Sequence, residues 1–151
     1  MDRINIVNIS TKTYHSIVIV ILFILTLGLY YQALSGFWRW DDGYIALHVF
    51  KHPGFDNFYV PNVWQKFSRA YLTPWIVFSF NLDLTLFGFS ATAFYIHQLI
   101  SLWLVSIATY FLLSLWVSNK WAFLGSLLFL GGTPVITVVE QLMTRHYNDY
   151  G

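Results

Sequence analysis

LTPWIVFSFNLDLTLFGF, residues 72–89, decides how the rest of the chain is arranged. Its length approaches that of a membrane span, yet Pro74, Asn81, Asp83 and Gly88 interrupt it. A carboxylate at the bilayer centre costs roughly 2.5–3.5 kcal/mol on insertion scales. If the segment crosses, the regions flanking it face opposite compartments; if it lies along the surface or enters only partly, they face the same one. The sequence favours the second arrangement, with Asp83 pointing into protein or the whole segment staying out of the hydrocarbon.

The surroundings of this segment read as a membrane protein. Of 151 residues, 57% are hydrophobic and 21% aromatic, whereas 10% carry a formal charge, against about 25% in soluble domains. Residues 16–34, SIVIVILFILTLGLYYQAL, hold no charge and as a helix would extend about 28 Å, with Tyr30 and Tyr31 suited to an interfacial belt. A secretory signal peptide competes for this stretch, but the run is long and cleavage would leave the tyrosine belt without a role. Residues 90–117 form a second span that Ser90 can cap, with His97, Gln98, Ser101 and Ser106 available to face other helices. Residues 121–142 form a third, kinked or broken at Gly131, Gly132 and Pro134.

The expected fold is therefore all-α and integral to the membrane. A tail over residues 1–15 precedes a single transmembrane module over 16–151, with crossings at 16–34, 90–117 and 121–142 and an outer loop over 35–89. Arg3 and Lys12 ahead of the first span place the N-terminus in the cytoplasm, and Lys120 agrees when 72–89 does not cross. The loop and the chain beyond the last span then share the outer side of what reads as a bacterial cytoplasmic membrane. Gly and Pro punctuate the loop, which should hold two or three juxtamembrane helices. One is DDGYIALHVFKH, with Asp41 or Asp42 near its N-terminus, where a carboxylate can accept free backbone N–H groups. Another is PNVWQKFSRAYL, starting at Pro61 or Asn62.

Several function classes drop out. A net charge of +1 with no basic block gives no nucleic-acid surface. The absence of cysteine excludes disulfides, thiolate chemistry, Fe–S ligation and Cys-based zinc sites. P-loop, HExxH, GxSxG and dinucleotide patterns are missing, as are internal repeats.

The polar residues that remain cluster in the loop and at the exit of the last span. Asp41 and Asp42 can accept a proton from an attacking hydroxyl or hold a divalent cation; the plainer reading is a solvated loop with one Asp capping a helix. His48 and His52, four apart, share a helix face and with Asp42 could ligate that cation, or simply hydrogen-bond at the interface. Lys66 and Arg69 can reach lipid phosphates or a pyrophosphate, or merely snorkel. Glu140, Arg145 and His146 gather at the exit of the last span, Arg145 and His146 as end-of-helix anchors or as part of a phosphate-binding cluster.

The order WDDGYIAL, then SRAYLTPWIVFSFNLDLTLFGFSATAFYIHQLISLWL, resembles the N-terminal membrane region of GT-C class glycosyltransferases that use polyprenyl-phosphate sugars. It is most similar to the transmembrane O-mannosyltransferases with tetratricopeptide repeats and their bacterial relatives. The matching positions are Asp41 and Asp42; Arg69 with a displaced Pro74; Leu86, Phe87 and Gly88; Phe94 and His97; then Pro134 and Arg145. Ser101 and Thr133 stand where those relatives often carry histidines. The resemblance implies a partial GT-C-like fold in which one aspartate activates an acceptor hydroxyl or holds a metal while Arg69 or Arg145, with Lys66, steadies the leaving phosphate. His97, Glu140 and His146 are secondary candidates. The implied partners are membrane lipid, a polyprenyl-phosphate sugar and either further transmembrane subunits or the remainder of a longer chain. The alternative is a noncatalytic small transmembrane subunit that packs in a larger membrane complex.

Overall fold

The computed structural model describes residues 10–67 and 74–144. Among these, every regular element is helical. Helix α1 spans Thr11–Tyr30 and runs on as a 3-10 turn, Tyr31–Ser35. It begins before Ser16 because Ser10 occupies its N-cap and accepts the Thr13 backbone N–H through its hydroxyl at 3.4 Å. The polar turn that hydropathy excludes from the hydrocarbon is helical all the same.

Helix α6, Ala91–Ser114, is the second element long and apolar enough to cross a membrane. Ser90 sits at its N-cap without a side-chain bond, so its expected capping role is confined to its backbone carbonyl, which accepts the Ala93 and Phe94 N–H groups. Helices α7 (Asn119–Leu130) and α8 (Thr133–Glu140) meet at 49° across Gly131 and Gly132, and the pair counts as a third crossing if taken as one span. The break falls where the sequence places it: Pro134 lies in the first turn of α8, where its missing N–H costs nothing.

The helices α1, α6 and α7 meet along buried positions four residues apart: Val18, Leu22 and Thr26 of α1; Leu102, Ser106 and Tyr110 of α6; Ala122, Ser126 and Leu130 of α7. Small side chains on α7 let it approach α6 closely. The hydroxyls in the seams are satisfied within their own helices: Thr26 donates to the Leu22 carbonyl, Ser106 to Leu102 and Ser126 to Phe123, each at 2.8 Å, as an apolar setting requires.

Side-chain bonds between helices fix the relative directions. Near the start of α1, His15 Nδ1 lies 2.7 Å from the Tyr110 hydroxyl near the end of α6. At the opposite end, the Tyr30 hydroxyl donates to the Leu130 carbonyl at 2.5 Å, and the Gln98 amide donates to the Val138 carbonyl. So α1 and α6 run antiparallel, and the loop after α1 and the end of α8 share one end of the bundle.

That end is closed by the loop helices α2 (Asp42–Lys51), α3 (Asp56–Tyr59), α4 (Pro61–Phe67) and α5 (Pro74–Phe87). α5 is the segment that decides the arrangement. Its 14 described residues extend about 21 Å, against about 30 Å of hydrocarbon in a bilayer. Ile76, Val77 and Phe80 pack it against Ile45, Ala46 and Val49 of α2, with Phe94, Tyr95 and Leu142 completing the core. Asp83 points into protein, its carboxylate 2.7 Å from His97 Nδ1 on α6.

Candidate functional site

The residues that carry polar chemistry converge where the chain leaves α1, enters α2 and later ends α8. The turn Arg39–Asp42 is tight: the Asp42 N–H donates to the Arg39 carbonyl at 2.9 Å, while Asp42 Oδ2 accepts the Arg39 N–H at 3.0 Å. Trp40, inside the turn, takes φ +47°, a left-handed conformation that a bulky residue adopts only when its surroundings enforce it. Its side chain is 83% exposed, so the constraint comes from the turn and not from packing of the indole.

Asp42 is fully buried, at 0% exposure. Its Oδ1 accepts the Met143 backbone N–H at 2.7 Å, fastening the loop to the chain just beyond α8. The expectation that Asp41 or Asp42 caps α2 is thereby corrected. Asp41 sits at the N-cap without a side-chain bond, and Asp42, inside the first turn, turns its carboxylate away from its own helix. The two aspartates therefore differ: Asp42 holds backbone, and Asp41 is exposed to solvent.

Beside this turn is a cleft of about 320 Å³ between the end of α1 and α8. Leu29, Ala33, Ile136 and Val139 give it apolar walls, while Gln32, Arg39, Tyr95 and Glu140 supply polar groups. Gly36 borders it by necessity, because a Cβ there would meet the Tyr95 ring at 2.5 Å and the Ala33 carbonyl at 2.7 Å. The Tyr95 hydroxyl is shared between the Phe37 and Glu140 carbonyls at 3.3 and 3.4 Å. Gln98 also ties α6 to the end of α8, through the Val138 and Gln141 carbonyls.

The remaining sequence candidates fall elsewhere. His48 and His52 do share a face of α2, with ring centroids 5.1 Å apart, but His48 Nε2 is 2.8 Å from Asn57 Oδ1, and Asn57 Nδ2 in turn donates to the His52 carbonyl at 3.3 Å. Burial pushes the His48 imidazole below its ordinary value; the Asn57 bond opposes this, and the charges of His52 and Lys66 add to it. Asp42 faces Arg39 and Met143 instead, and among the described residues no three His, Cys, Asp or Glu are grouped to hold a metal ion. The expected divalent-cation set of Asp42, His48 and His52 is therefore not assembled. Lys66 lies in the last turn of α4, and its backbone carbonyl accepts the Tyr44 hydroxyl at 2.9 Å. His97 pairs with Asp83 and does not line the cleft. Arg69, Arg145 and His146 lie outside the described residues.

Three cleft residues, Arg39, Tyr95 and Gln32, are absent from the sequence candidates. The one signal for Arg39 was its place two residues before the acidic pair. Tyr95 and Gln32 carry no pattern that separates them from ordinary interfacial residues. No protein-family model matches the chain, and neither a curated protein nor a solved structure matches it.

Proposed function

We propose that the chain acts as a helical membrane module that packs with further transmembrane helices in a larger assembly. The observation that carries this reading is Asp42. The buried member of the acidic pair has its two oxygens on backbone N–H groups of Arg39 and Met143, so it clamps the loop to the end of α8. The spans support the same reading. Only 22% of the most apolar stretch of Thr11–Ser35 and 28% of that of Ala91–Ser114 are buried within the chain, which leaves most of each helix to other helices or lipid. The test is a native gel of mildly solubilised membranes combined with crosslinking. The chain should migrate in a complex of fixed stoichiometry that survives Asp41→Asn; a chain that runs only as a free monomer overturns the reading.

A second reading, a GT-C-like module that transfers a sugar from a polyprenyl-phosphate donor to an acceptor hydroxyl, is favoured by one specific arrangement. Asp41 is a solvent-exposed carboxylate two residues from Arg39, which lines the cleft. In that role Asp41 would take the acceptor proton and a guanidinium would steady the departing phosphate. Asp41→Asn then abolishes transfer while membrane insertion is retained. Transfer at the wild-type rate by that variant ends this reading and leaves the first untouched.

A further inference from the structure

The cleft between α1 and α8 combines features that a water-soluble ligand would not need. Leu29 and Ile136 on its wall are 56% and 43% exposed, and both belong to helices that count toward candidate membrane spans. The apolar side of the cleft is therefore continuous with surface that faces hydrocarbon. Its polar side carries one cation and one anion, Arg39 and Glu140. Both are exposed, and neither forms an ion pair with a described residue. Arg39 lies between Trp38 and Trp40, residue types that settle at headgroup depth.

We propose that this cleft seats one membrane phospholipid whose headgroup carries both a phosphate and a primary ammonium. The phosphate lies against the Arg39 guanidinium, which offers planar paired donors. The ammonium lies against the Glu140 carboxylate, and the acyl chains leave along Leu29 and Ile136. The volume of about 320 Å³ sits at the lower end of ligand sites, which range over about 300–1,000 Å³. That suits a headgroup with its glycerol while the chains remain in the bilayer. A lipid with the phosphate but no ammonium would meet Arg39 and leave Glu140 without a counter-charge among the described residues; the charge pair, not the apolar wall, therefore sets the choice. The inference does not depend on sugar transfer or on a partner subunit.

The test is native mass spectrometry of the full chain released from detergent micelles containing equal amounts of phosphatidylethanolamine and phosphatidylglycerol with matched acyl chains. The wild-type protein should retain phosphatidylethanolamine over phosphatidylglycerol by about twofold to fivefold, the range that one exposed charge contact gives. Glu140→Gln should bring that ratio to about one, and Arg39→Gln should lower retention of both lipids. Circular dichroism of each variant reports whether the helices remain. Equal retention of the two lipids by wild-type protein overturns the proposal without recourse to any variant, and so does a preference that persists in a folded Glu140→Gln protein.

Discussion

Asp42 Oδ1 and the backbone nitrogen of Met143 lie 2.7 Å apart, although 101 positions separate the two residues in sequence. The bond joins the first helix of the loop to the chain just past α8, and the same carboxylate also closes the Arg39–Asp42 turn. Replacing Asp42 with Asn leaves one oxygen acceptor and turns the other into a donor facing an N–H. The expected loss is about 1–3 kcal/mol of stability. Asp41→Asn, at an exposed position without a side-chain bond, should change stability by less than about 0.5 kcal/mol. Thermal unfolding of both variants in detergent checks this; equal effects would mean that Asp42 is not the clamp.

Asp83 and His97 make the corresponding contact between α5 and α6, at 2.7 Å with Asp83 buried. A buried carboxylate that loses a charge-assisted partner is expensive. His97→Gln and Asp83→Asn should each destabilise the docking of α5. The double variant should cost less than the sum of the two, with a coupling of about 1–2 kcal/mol. Strictly additive losses in a double-mutant cycle would show that the pair contributes nothing beyond its separate contacts.

How much of this could be read in advance follows from the physics of each element. The spans are set by long uncharged runs, so α1 and α6 stand out in the sequence, and Gly131, Gly132 and Pro134 mark the α7–α8 break. The start of α1 does not, because hydropathy finds the edge of the hydrocarbon, whereas the Ser10 cap sets the edge of the helix. Asp83 could be expected to point into protein on desolvation grounds, but nothing in the spacing names His97 as its partner. The Asp42 clamp is least legible of all, since one partner is a backbone N–H and any residue at position 143 except proline could supply it. The metal-ligand expectation failed for the same reason: a four-residue His spacing gives a shared face, but the Asn57 side chain and the Arg39 and Met143 N–H groups had already taken His48 and Asp42.

His48 makes one part of the loop sensitive to acid. Its pKa lies below the ordinary value of 6.5, chiefly through burial. The unfolded loop therefore binds more protons than the folded one below that pH. Stability should be constant above about 6.5 and fall as the pH drops below it toward the lower folded value. Protection factors of the α2 and α3 amides, corrected for the intrinsic pH dependence of exchange, should fall as the pH drops below about 6.5 in wild-type protein, and His48→Gln should flatten that dependence. An unchanged slope in the variant would assign the effect to another group.

Two glycines should respond oppositely to a methyl group. A Cβ on Gly36 meets the Tyr95 ring at 2.5 Å and the backbone carbonyl of Ala33 at 2.7 Å. Neither group can retreat freely, and Gly36→Ala should cost about 1–3 kcal/mol. At Gly125 the Cβ meets only the tip of the Leu113 side chain within 2.5 Å, which can rotate, and alanine favours the helix by up to about 1 kcal/mol. Gly125→Ala should be near neutral or slightly stabilising. Melting temperatures of the two variants decide it; if Gly36→Ala melts like wild type, the approach of Tyr95 to the turn is looser than these distances state.

The arrangement of the ends is the most accessible prediction, because the sequence contains no cysteine and single-cysteine labelling has no background. Tyr95 links the Phe37 and Glu140 carbonyls, and Asp42 reaches Met143, so residues 37 and 140 share one end. His15 meets Tyr110, which places Lys12 and Lys120 near the other. If α5, about 21 Å long over its described residues, does not cross, one compartment should label Phe37→Cys and Glu140→Cys and the other Lys12→Cys and Lys120→Cys. Membrane-impermeant maleimide applied to intact cells, then to opened membranes, reads this directly. If positions 37 and 140 label from opposite sides, the Asp42–Met143 clamp cannot exist in the membrane. If 37 and 120 label together, α6 does not cross.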